Sequence, residues 1–168
     1  MEITNVVSKL PWEKSVGRRL IKDIQYAIVH HDGVRTGESY DPVSKYVSEA
    51  KYHIGKGWGH LGYHLRVARD GKVSQTVPFE EIGYHAGSWK HNLTGIGICL
   101  DGDLTKQEVT KEQMAGLKAL MLFLAEQRPD MPKLVRSGFF AHKEVRLLPT
   151  ACPSPLIATV VKDFRNGK

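Results

Sequence analysis

The segment Gln25-Tyr26-Ala27-Ile28-Val29-His30 (QYAIVH) has the composition of a buried β-strand. Its residues are mainly apolar, aromatic or β-branched, and the polar run His31-Asp32-Gly33 follows directly, so the strand is predicted to end at His30. Ligands and catalytic groups of α/β proteins gather where strands end. Because successive side chains of a strand point to opposite faces, His30 and His31 are not expected to chelate one ion together. One of the two histidines is expected to face a site.

A β-hairpin is predicted further along the chain. Residues 61–68 and 72–77 flank Asp70-Gly71, a pair favoured in two-residue hairpin turns. In the first segment Leu65 and Val67 alternate with polar neighbours, which is typical of a half-buried strand. The run GIGICL at residues 95–100 predicts a fourth strand.

Three helices are predicted, each with its own start signal. Asp41-Pro42 and Ser154-Pro155 place a capping residue before a proline, and Thr110 with Gln113 forms a capping-box pattern. Strands interleaved with helices predict an α/β fold, in which helices flank a mixed central sheet in a single domain. The predicted helices run from 42 to the glycines at 55 and 57, from 110 to about 127, and from 156 to 164.

The composition is that of an ordinary globular protein. The chain has 168 residues, of which 41% are hydrophobic and 25% charged, so one domain spanning residues 1–168 is expected, with no separate binding domain. The apolar stretches are too short to cross a bilayer, and residues 1–5 show no signal peptide, so synthesis in the cytoplasm is expected. The net charge of +6 indicates either a solvated basic surface or attraction to a polyanion, such as nucleic acid or an acidic bacterial wall.

A histidine and a cysteine near the end of the chain are candidate metal ligands. Nine residues separate His142 from Cys152, and prolines at 149 and 153 would stiffen the loop between them. Together with His30 they would supply two imidazoles and one thiolate, a set that suits Zn²⁺ and leaves a fourth position open for water. Two other interpretations of Cys152 stay open, a small buried hydrophobe and a disulfide with Cys99.

Five blocks of sequence carry a resemblance to a known family. Along the chain they are the strand ending in His30-His31; Gly62-Tyr63-His64 with Arg69-Asp70-Gly71; Tyr84-His85-Ala86-Gly87 followed by Asn92; Gly95-Ile96-Gly97-Ile98; and Ala141-His142 with Ala151-Cys152-Pro153. With these blocks in this order, the chain resembles the type 2 N-acetylmuramoyl-L-alanine amidases, which include phage endolysins and animal peptidoglycan recognition proteins. The resemblance covers roughly residues 20–160.

The resemblance implies one Zn²⁺ per chain, held by His30, His142 and Cys152, and hydrolysis of the amide between the lactyl group of N-acetylmuramic acid and L-alanine. Tyr63 and Thr150 are the catalytic residues that the resemblance implies. Tyr63 matches a tyrosine that holds or polarises the reacting groups, and Thr150 matches a position that varies within the family and is lysine in some phage enzymes. A groove that contacts the sugar or the stem peptide is expected from residues close to the third block, namely His85, Trp89, Lys90, His91, Asn92 and Thr94.

Two departures from the family pattern affect this assignment. Many bacterial members carry a glutamate where this chain has Cys99, and the loop from His142 to Cys152 is two residues longer than in the phage relatives. The first departure leaves the general base open among several candidates, and the second leaves the placement of Thr150 open. The candidate bases are Tyr63, Glu80, Glu81, His85 and His64.

The expected setting is that of a phage or prophage endolysin. Such an enzyme would reach the wall by release or through a holin-type pore, and its positive charge could adsorb it to anionic wall polymers. A monomer is expected. The alternatives are a peptidoglycan-binding protein without activity, which the retained Cys152 disfavours, and an intracellular regulator that binds nucleic acid or a polymerase. No nucleic-acid-binding motif is visible, so nucleic acid is not expected as a partner.

Overall fold

A computed structural model describes residues 1–37 and 39–168 of the chain. Within these residues, six strands form one mixed sheet with the order β1-β4-β3-β5-β2-β6. Helices cover the sheet, which confirms the predicted single-domain α/β fold. The strands are β1 (Thr4–Asn5), β2 (Tyr26–His31), β3 (Leu65–Val67), β4 (Val73–Gln75), β5 (Gly95–Leu100) and β6 (Phe139–Ala141).

The three predicted helices are present, and their capping residues act as the sequence indicates. Asp41 accepts hydrogen bonds from the backbone of Val43 and Ser44, and Ser154 accepts one from Ile157. No helix within the described residues is long and apolar enough to cross a membrane. The helices are α1 (Pro42–Gly55), α2 (Trp89–Thr94), α3 (Lys111–Glu126), α4 (His142–Val145) and α5 (Pro155–Arg165), with 3-10 turns at Val7–Lys9, Ile21–Asp23 and Arg136–Gly138.

The capping box predicted at the start of α3 is only half formed. The Thr110 hydroxyl accepts a hydrogen bond from the Gln113 backbone at 3.0 Å. The Gln113 side chain does not return to the cap, because it donates instead to the carbonyl oxygens of Val67 and Asp101. Gln113 thereby joins α3 to the ends of β3 and β5, a tertiary role that the local pattern does not reveal.

The four strands β3, β5, β2 and β6 are parallel, so their carboxyl ends meet at one edge of the sheet. In this register His30 lies beside Cys99 and Val29 lies beside Ala141. Helices α3 and α5 pack on one face of the sheet, where Val29 belongs to the larger hydrophobic core. Helix α1 packs on the other face in a smaller core that contains Tyr46 and Ala50. The side chain of His30 is on the α1 side, because it alternates with Val29.

The predicted hairpin is formed by β3 and β4, which pair antiparallel. Its strands are shorter than expected, and its turn has three residues rather than two. The Gly71 N–H donates to the Ala68 carbonyl, and Gly71 has a φ of +81°. A turn followed by a left-handed glycine is the second common form of hairpin connection, which explains why Asp70-Gly71 still marks the site.

Arg66 differs most from the sequence-based expectation. The alternation along β3 predicts a polar, solvent-facing side chain there, but β3 is an interior strand covered by α1, and Arg66 is 0% exposed. Its guanidinium pairs with Asp101 just after β5, with Asp32 just after β2 at 2.6 Å, and with Glu49 on α1. A buried charge requires such partners, and here they join β3 to the ends of two other strands and to one helix.

We predict that Arg66→Met lowers the free energy of unfolding by about 3–5 kcal/mol, because it leaves buried carboxylates without their cation. Urea unfolding at neutral pH measures this loss. A matched control is Arg18→Met, since Arg18 pairs with Glu81 at 3.4 Å but has a side chain that is 70% exposed. The control should lose about 1 kcal/mol or less. Equal losses in the two variants would contradict the role given to the buried cluster.

Candidate functional site

Two histidines meet where β2 and β6 end. His30 is the fifth residue of β2, and His142 is the first residue of α4, directly after β6. Because β2 and β6 are parallel neighbours, both side chains leave the same edge of the sheet. Their ring centroids lie 4.3 Å apart, and both residues are buried.

Cys152 reaches the histidines from the loop after α4. Its Sγ lies 3.9 Å from His30 Nδ1 and accepts a hydrogen bond from the His31 N–H at 3.4 Å. The loop backbone is fixed on both sides, because the Cys152 carbonyl accepts from the Lys143 N–H and the Cys152 N–H donates to the Thr150 hydroxyl. Cys99 and Cys152 are both free thiols, so the disulfide considered from the sequence is not formed.

The three side chains form a group that could hold a metal ion. One donor atom from each of His30, His142 and Cys152 lies within 4.8 Å of the other two. Neither ring nitrogen of His142 has a hydrogen-bond partner among the described residues, although both are buried. Buried polar groups are nearly always satisfied, and an ion bound to one of these two nitrogens would satisfy that nitrogen. Two imidazoles and a thiolate are the donor types that zinc prefers, so the residues fit Zn²⁺.

Burial sets the protonation of the three groups. It lowers the pKa of His30 well below its usual value, and together with Arg146 it lowers the pKa of His142 to about 4, so both imidazoles are neutral and available as ligands. Burial raises the pKa of the Cys152 thiol to about 12, although the His31 N–H favours the thiolate. A metal entering this site would therefore have to displace the thiol proton.

His31 faces away from the other candidate ligands, as the alternation predicts. Its Nδ1 accepts a hydrogen bond from the Leu104 N–H at 2.9 Å and lies 3.9 Å from the Asp103 carboxylate. Its side chain thus holds the loop after β5, while only its backbone contacts Cys152. His31 is a structural residue in this arrangement.

A cleft of about 420 Å³ opens beside His142. Four predicted site residues line it, namely Tyr63, His85, Asn92 and His142. The cleft also contains residues that the sequence reasoning missed. Tyr84 was within a recognised block and Trp58 between two glycines, but neither pattern by itself indicates a binding role. The further lining residues are Trp58, Tyr84, Gly87 and Arg146.

His85 and Tyr63 surround the His30 ring. His85 Nδ1 lies 3.1 Å from His30 Nε2, and the Tyr63 ring centroid lies 5.2 Å from that of His30. Gly97 on β5 makes the His85 position possible, because a Cβ at Gly97 would lie 2.8 Å from the His85 ring. Packing against His85 therefore explains why the second glycine of the GIGICL strand, Gly97, has no side chain.

Asn92 acts within the protein as well as at the cleft. Its Oδ1 accepts hydrogen bonds from the backbone of His85 at 3.1 Å and of Ala86 at 2.8 Å, and the residue is buried. Asn92 on α2 thus fixes the segment that carries His85. This contact explains why an asparagine follows the Tyr-His-Ala-Gly block at a short interval.

The other predicted groove residues lie outside the cleft lining. Trp89 is 55% exposed, with its ring 6.2 Å from that of Tyr84, and Lys90 is exposed. The His91 ring lies 5.2 Å from that of Tyr26, and the Thr94 hydroxyl donates to the Lys90 carbonyl. Thr150, at the other end of the site, uses its hydroxyl to hold Cys152.

Several candidate bases are occupied elsewhere. Glu81 pairs with Ser15 and Arg18, and Glu80 lies in a different surface depression near the N-terminus. His64 is enclosed, since its Nδ1 accepts from the Gly97 N–H and its Nε2 lies 2.9 Å from the Glu81 carbonyl. Of the five candidates, Tyr63 and His85 line the cleft.

The sequence is similar to those of several known proteins. The chain is 33% identical over 109 residues to the endolysin of Escherichia phage T7, and this aligned region covers 62% of this chain and 66% of the phage protein. The match thus spans just under two thirds of the phage endolysin. The chain is also 26% identical over 167 residues to Peptidoglycan-recognition protein 2 of Holotrichia diomphalia, covering 96% of this chain and 85% of the insect protein.

A solved structure shares the fold over nearly the whole chain. The N-acetylmuramoyl-L-alanine amidase LysC from Clostridium intestinale URNW matches with a TM-score of 0.73 at 24% identity, covering 99% of this chain and 98% of LysC. The family model for N-acetylmuramoyl-L-alanine amidase matches residues 21–155. Since this match covers most of the sequence, the chain belongs to the N-acetylmuramoyl-L-alanine amidase family (Amidase_2).

Proposed function

We propose that this chain is a zinc-dependent hydrolase that cleaves the amide between the lactyl group of N-acetylmuramic acid and the L-alanine of peptidoglycan. The observation that carries the proposal is the convergence of His30, His142 and Cys152 beside a cleft, in a chain of this family. A protein that only bound peptidoglycan would not need a thiol held against two neutral imidazoles.

The three converging side chains are the proposed zinc ligands, with one ion per chain. When bound, Zn²⁺ would supply a Lewis acid for the scissile carbonyl and make water acidic enough to act as a nucleophile near neutral pH. The chain keeps the ligands ready for this role. The strand end fixes His30, and the hydrogen bonds of Thr150, Lys143 and His31 hold the Cys152 segment. Thr150 is therefore proposed to position a ligand.

Tyr63 is proposed to donate a hydrogen bond to the substrate at the reacting centre. Burial raises the pKa of its phenol well above the usual value, so the group stays protonated near neutral pH. A protonated phenol can orient and polarise a carbonyl, but it cannot take a proton from water. Tyr63 lines the cleft beside His30, where a substrate carbonyl would lie.

His85 is proposed to orient His30 rather than to bind substrate directly. Its Nδ1 faces His30 Nε2, while His30 Nδ1 faces Cys152. A partner on the far nitrogen of a ligand histidine fixes both the ring orientation and the tautomer. Asn92 supports this arrangement through the His85 backbone.

The outer cleft is proposed to hold the sugar and the stem peptide. Trp58, Tyr84 and Trp89 form a row of aromatic rings, with 6.2 Å between the centroids of successive members. An exposed tryptophan at the end of such a row offers an apolar surface to a sugar ring. Lys90, His91 and Thr94, on the same helix as Trp89, are proposed to extend this contact surface.

The relatives named endolysins support a role at the bacterial wall for this chain as well. We propose that it acts as a phage or prophage endolysin, as a monomer, after release or passage through a holin-type pore. The net charge of +6 would adsorb it to anionic wall polymers. Weaker adsorption to walls stripped of those polymers would support this part of the proposal, and unchanged adsorption would contradict it.

Digestion of purified peptidoglycan tests the proposed reaction. The expected product is a new N-terminal L-alanine, identified by end-group analysis, without release of reducing sugar. Reducing sugar would show that a different bond is cleaved. Zinc bound without any cleavage would show a recognition protein on an amidase fold.

Metal analysis tests the proposed ligands. The wild-type chain should retain about one zinc ion after dialysis, whereas Cys152→Ser and His142→Ala should lose stoichiometric zinc and activity, because three ligands are the minimum for this type of site. Cys99→Ala is the matched control, since Cys99 is the other free cysteine and lies outside the ligand group. An active, zinc-loaded Cys152→Ser variant would refute the site.

Tyr63→Phe should retain zinc but lose activity about 10²- to 10³-fold, because it removes one hydrogen-bond donor at the reacting centre. The rate of L-alanine exposure, measured together with zinc content, checks this expectation. Tyr52→Phe is a suitable control, since Tyr52 is 61% exposed on α1. Parental activity in Tyr63→Phe would show that the phenol has no part in the reaction.

A further inference from the structure

Arg146 brings an unneutralised positive charge to the cleft. Among the described residues, the cleft is lined by aromatic residues, histidines, an asparagine and a glycine, without a carboxylate, and Arg146 is the one lining side chain with a permanent charge. Arg146 ends the single turn of α4 that begins with His142, and its N–H donates to the His142 carbonyl at 3.1 Å. The cation therefore lies close to the proposed ligands.

The nearest acidic residue in the sequence does not neutralise this charge. Glu144 accepts a hydrogen bond from the Ala141 N–H at 2.7 Å and pairs with Arg165 at 2.8 Å. Within the described residues, Arg146 has no ion pair and no side-chain hydrogen bond. A guanidinium offers five donors in a planar fork, and all of them are free for a ligand here.

The side chain of Arg146 is supported along its length. A Cβ at Gly87 would lie 3.2 Å from Arg146 Cγ and 3.5 Å from Nε, so the aliphatic part packs against the glycine backbone. Gly87 has a φ of +65°, a backbone conformation that is unfavourable for residues with a side chain. A cation held in this way loses less conformational entropy on binding than a free surface arginine does.

We propose that Arg146 binds the α-carboxylate of the second stem-peptide residue, and that the protein thereby prefers stems with D-glutamate over stems with amidated D-isoglutamine. The inference rests on the proposed function. In a stem whose second residue is joined to the third through its γ-carboxyl group, the α-carboxylate of the second residue is the first free acid after the scissile amide. The Cα atom that carries it lies about 3.8 Å beyond the Cα of L-alanine. Planar, bidentate recognition of a carboxylate is the interaction that arginine makes best.

Binding of four muropeptides tests the proposal. They combine D-glutamate or D-isoglutamine at the second position with diaminopimelate or L-lysine at the third. Calorimetry on zinc-free wild-type protein avoids cleavage, and kcat/KM on the zinc-loaded protein follows. We expect about 10- to 100-fold tighter binding of both D-glutamate stems, as for one charge-assisted contact. Arg146→Gln should abolish this preference, and Arg146→Lys should restore part of it.

Lys143→Gln is the matched control, because Lys143 is an exposed cation on the same turn and does not line the cleft. It should keep the preference, and the exposed position of Arg146 predicts an unchanged Tm for Arg146→Gln. Equal affinity of wild type for the D-glutamate and D-isoglutamine stems overturns the proposal. So does a preference that follows the third residue, or equal weakening of all four ligands by Arg146→Gln.

The two proposals fail in different ways. Cleavage of peptidoglycan without a preference at the second position refutes the role of Arg146 and leaves the hydrolase intact. A D-glutamate preference in binding, lost in Arg146→Gln, with no cleavage by the zinc-loaded protein refutes the hydrolase and supports the carboxylate contact.

Discussion

The buried guanidinium of Arg66 joins β3 to the ends of β2 and β5 and to α1, and the geometry of the candidate site depends on this ionic cluster. Asp32 and Asp101 are the residues that follow β2 and β5, and both pair with Arg66. Asp32 lies two residues after His30, so the carboxylate that fixes the end of β2 also fixes the candidate ligand. Burial of each ion costs several kcal/mol, which only near-complete pairing offsets. Tyr40 and Tyr46 complete the pairing by donating to Asp101.

The ionic cluster keeps the acidic side chains at the strand ends away from the candidate site. The carboxylates of Asp32 and Asp101 pair with Arg66, and Asp32 also pairs with Lys45 at 3.1 Å. Among the described residues, the cleft is lined by neutral imidazoles, uncharged aromatic residues and one exposed cation, without a carboxylate, and the half-buried Cys152 thiol lies next to His142 behind this lining. An environment without carboxylates favours a metal with nitrogen and sulfur ligands over one that needs oxygen ligands. Cys99 occupies the strand position beside His30, so this position provides no carboxylate that could act as a base.

The sequence predicts those helices and strands that have a clear cap residue or a regular spacing of apolar residues. The cap at Asp41, the GIGICL strand, and the spacing of apolar residues in α3 correspond to observed elements within one or two residues. The short strands β1 and β6 were missed, because two or three residues carry no periodicity and pair only in the folded sheet. Arg66 was misjudged for a related reason, since alternation along a strand does not reveal whether a helix covers its polar face. The roles of Asn92 and Thr150 also depend on backbone partners that no pattern specifies.

The segment from His142 to Cys152 connects the proposed chemistry with the proposed specificity. Its two ends are rigid, because His142 follows a sheet strand and Cys152 is held by Thr150, Lys143 and the His31 backbone. Its middle is exposed, with Leu147 at 87% and Leu148 at 67%. Residues in the middle can therefore change without moving the ligands, as long as the ends keep their hydrogen bonds. Arg146 lies where the rigid turn gives way to this exposed part, so a change of side chain there would alter which stem peptide binds and leave the reacting centre in place.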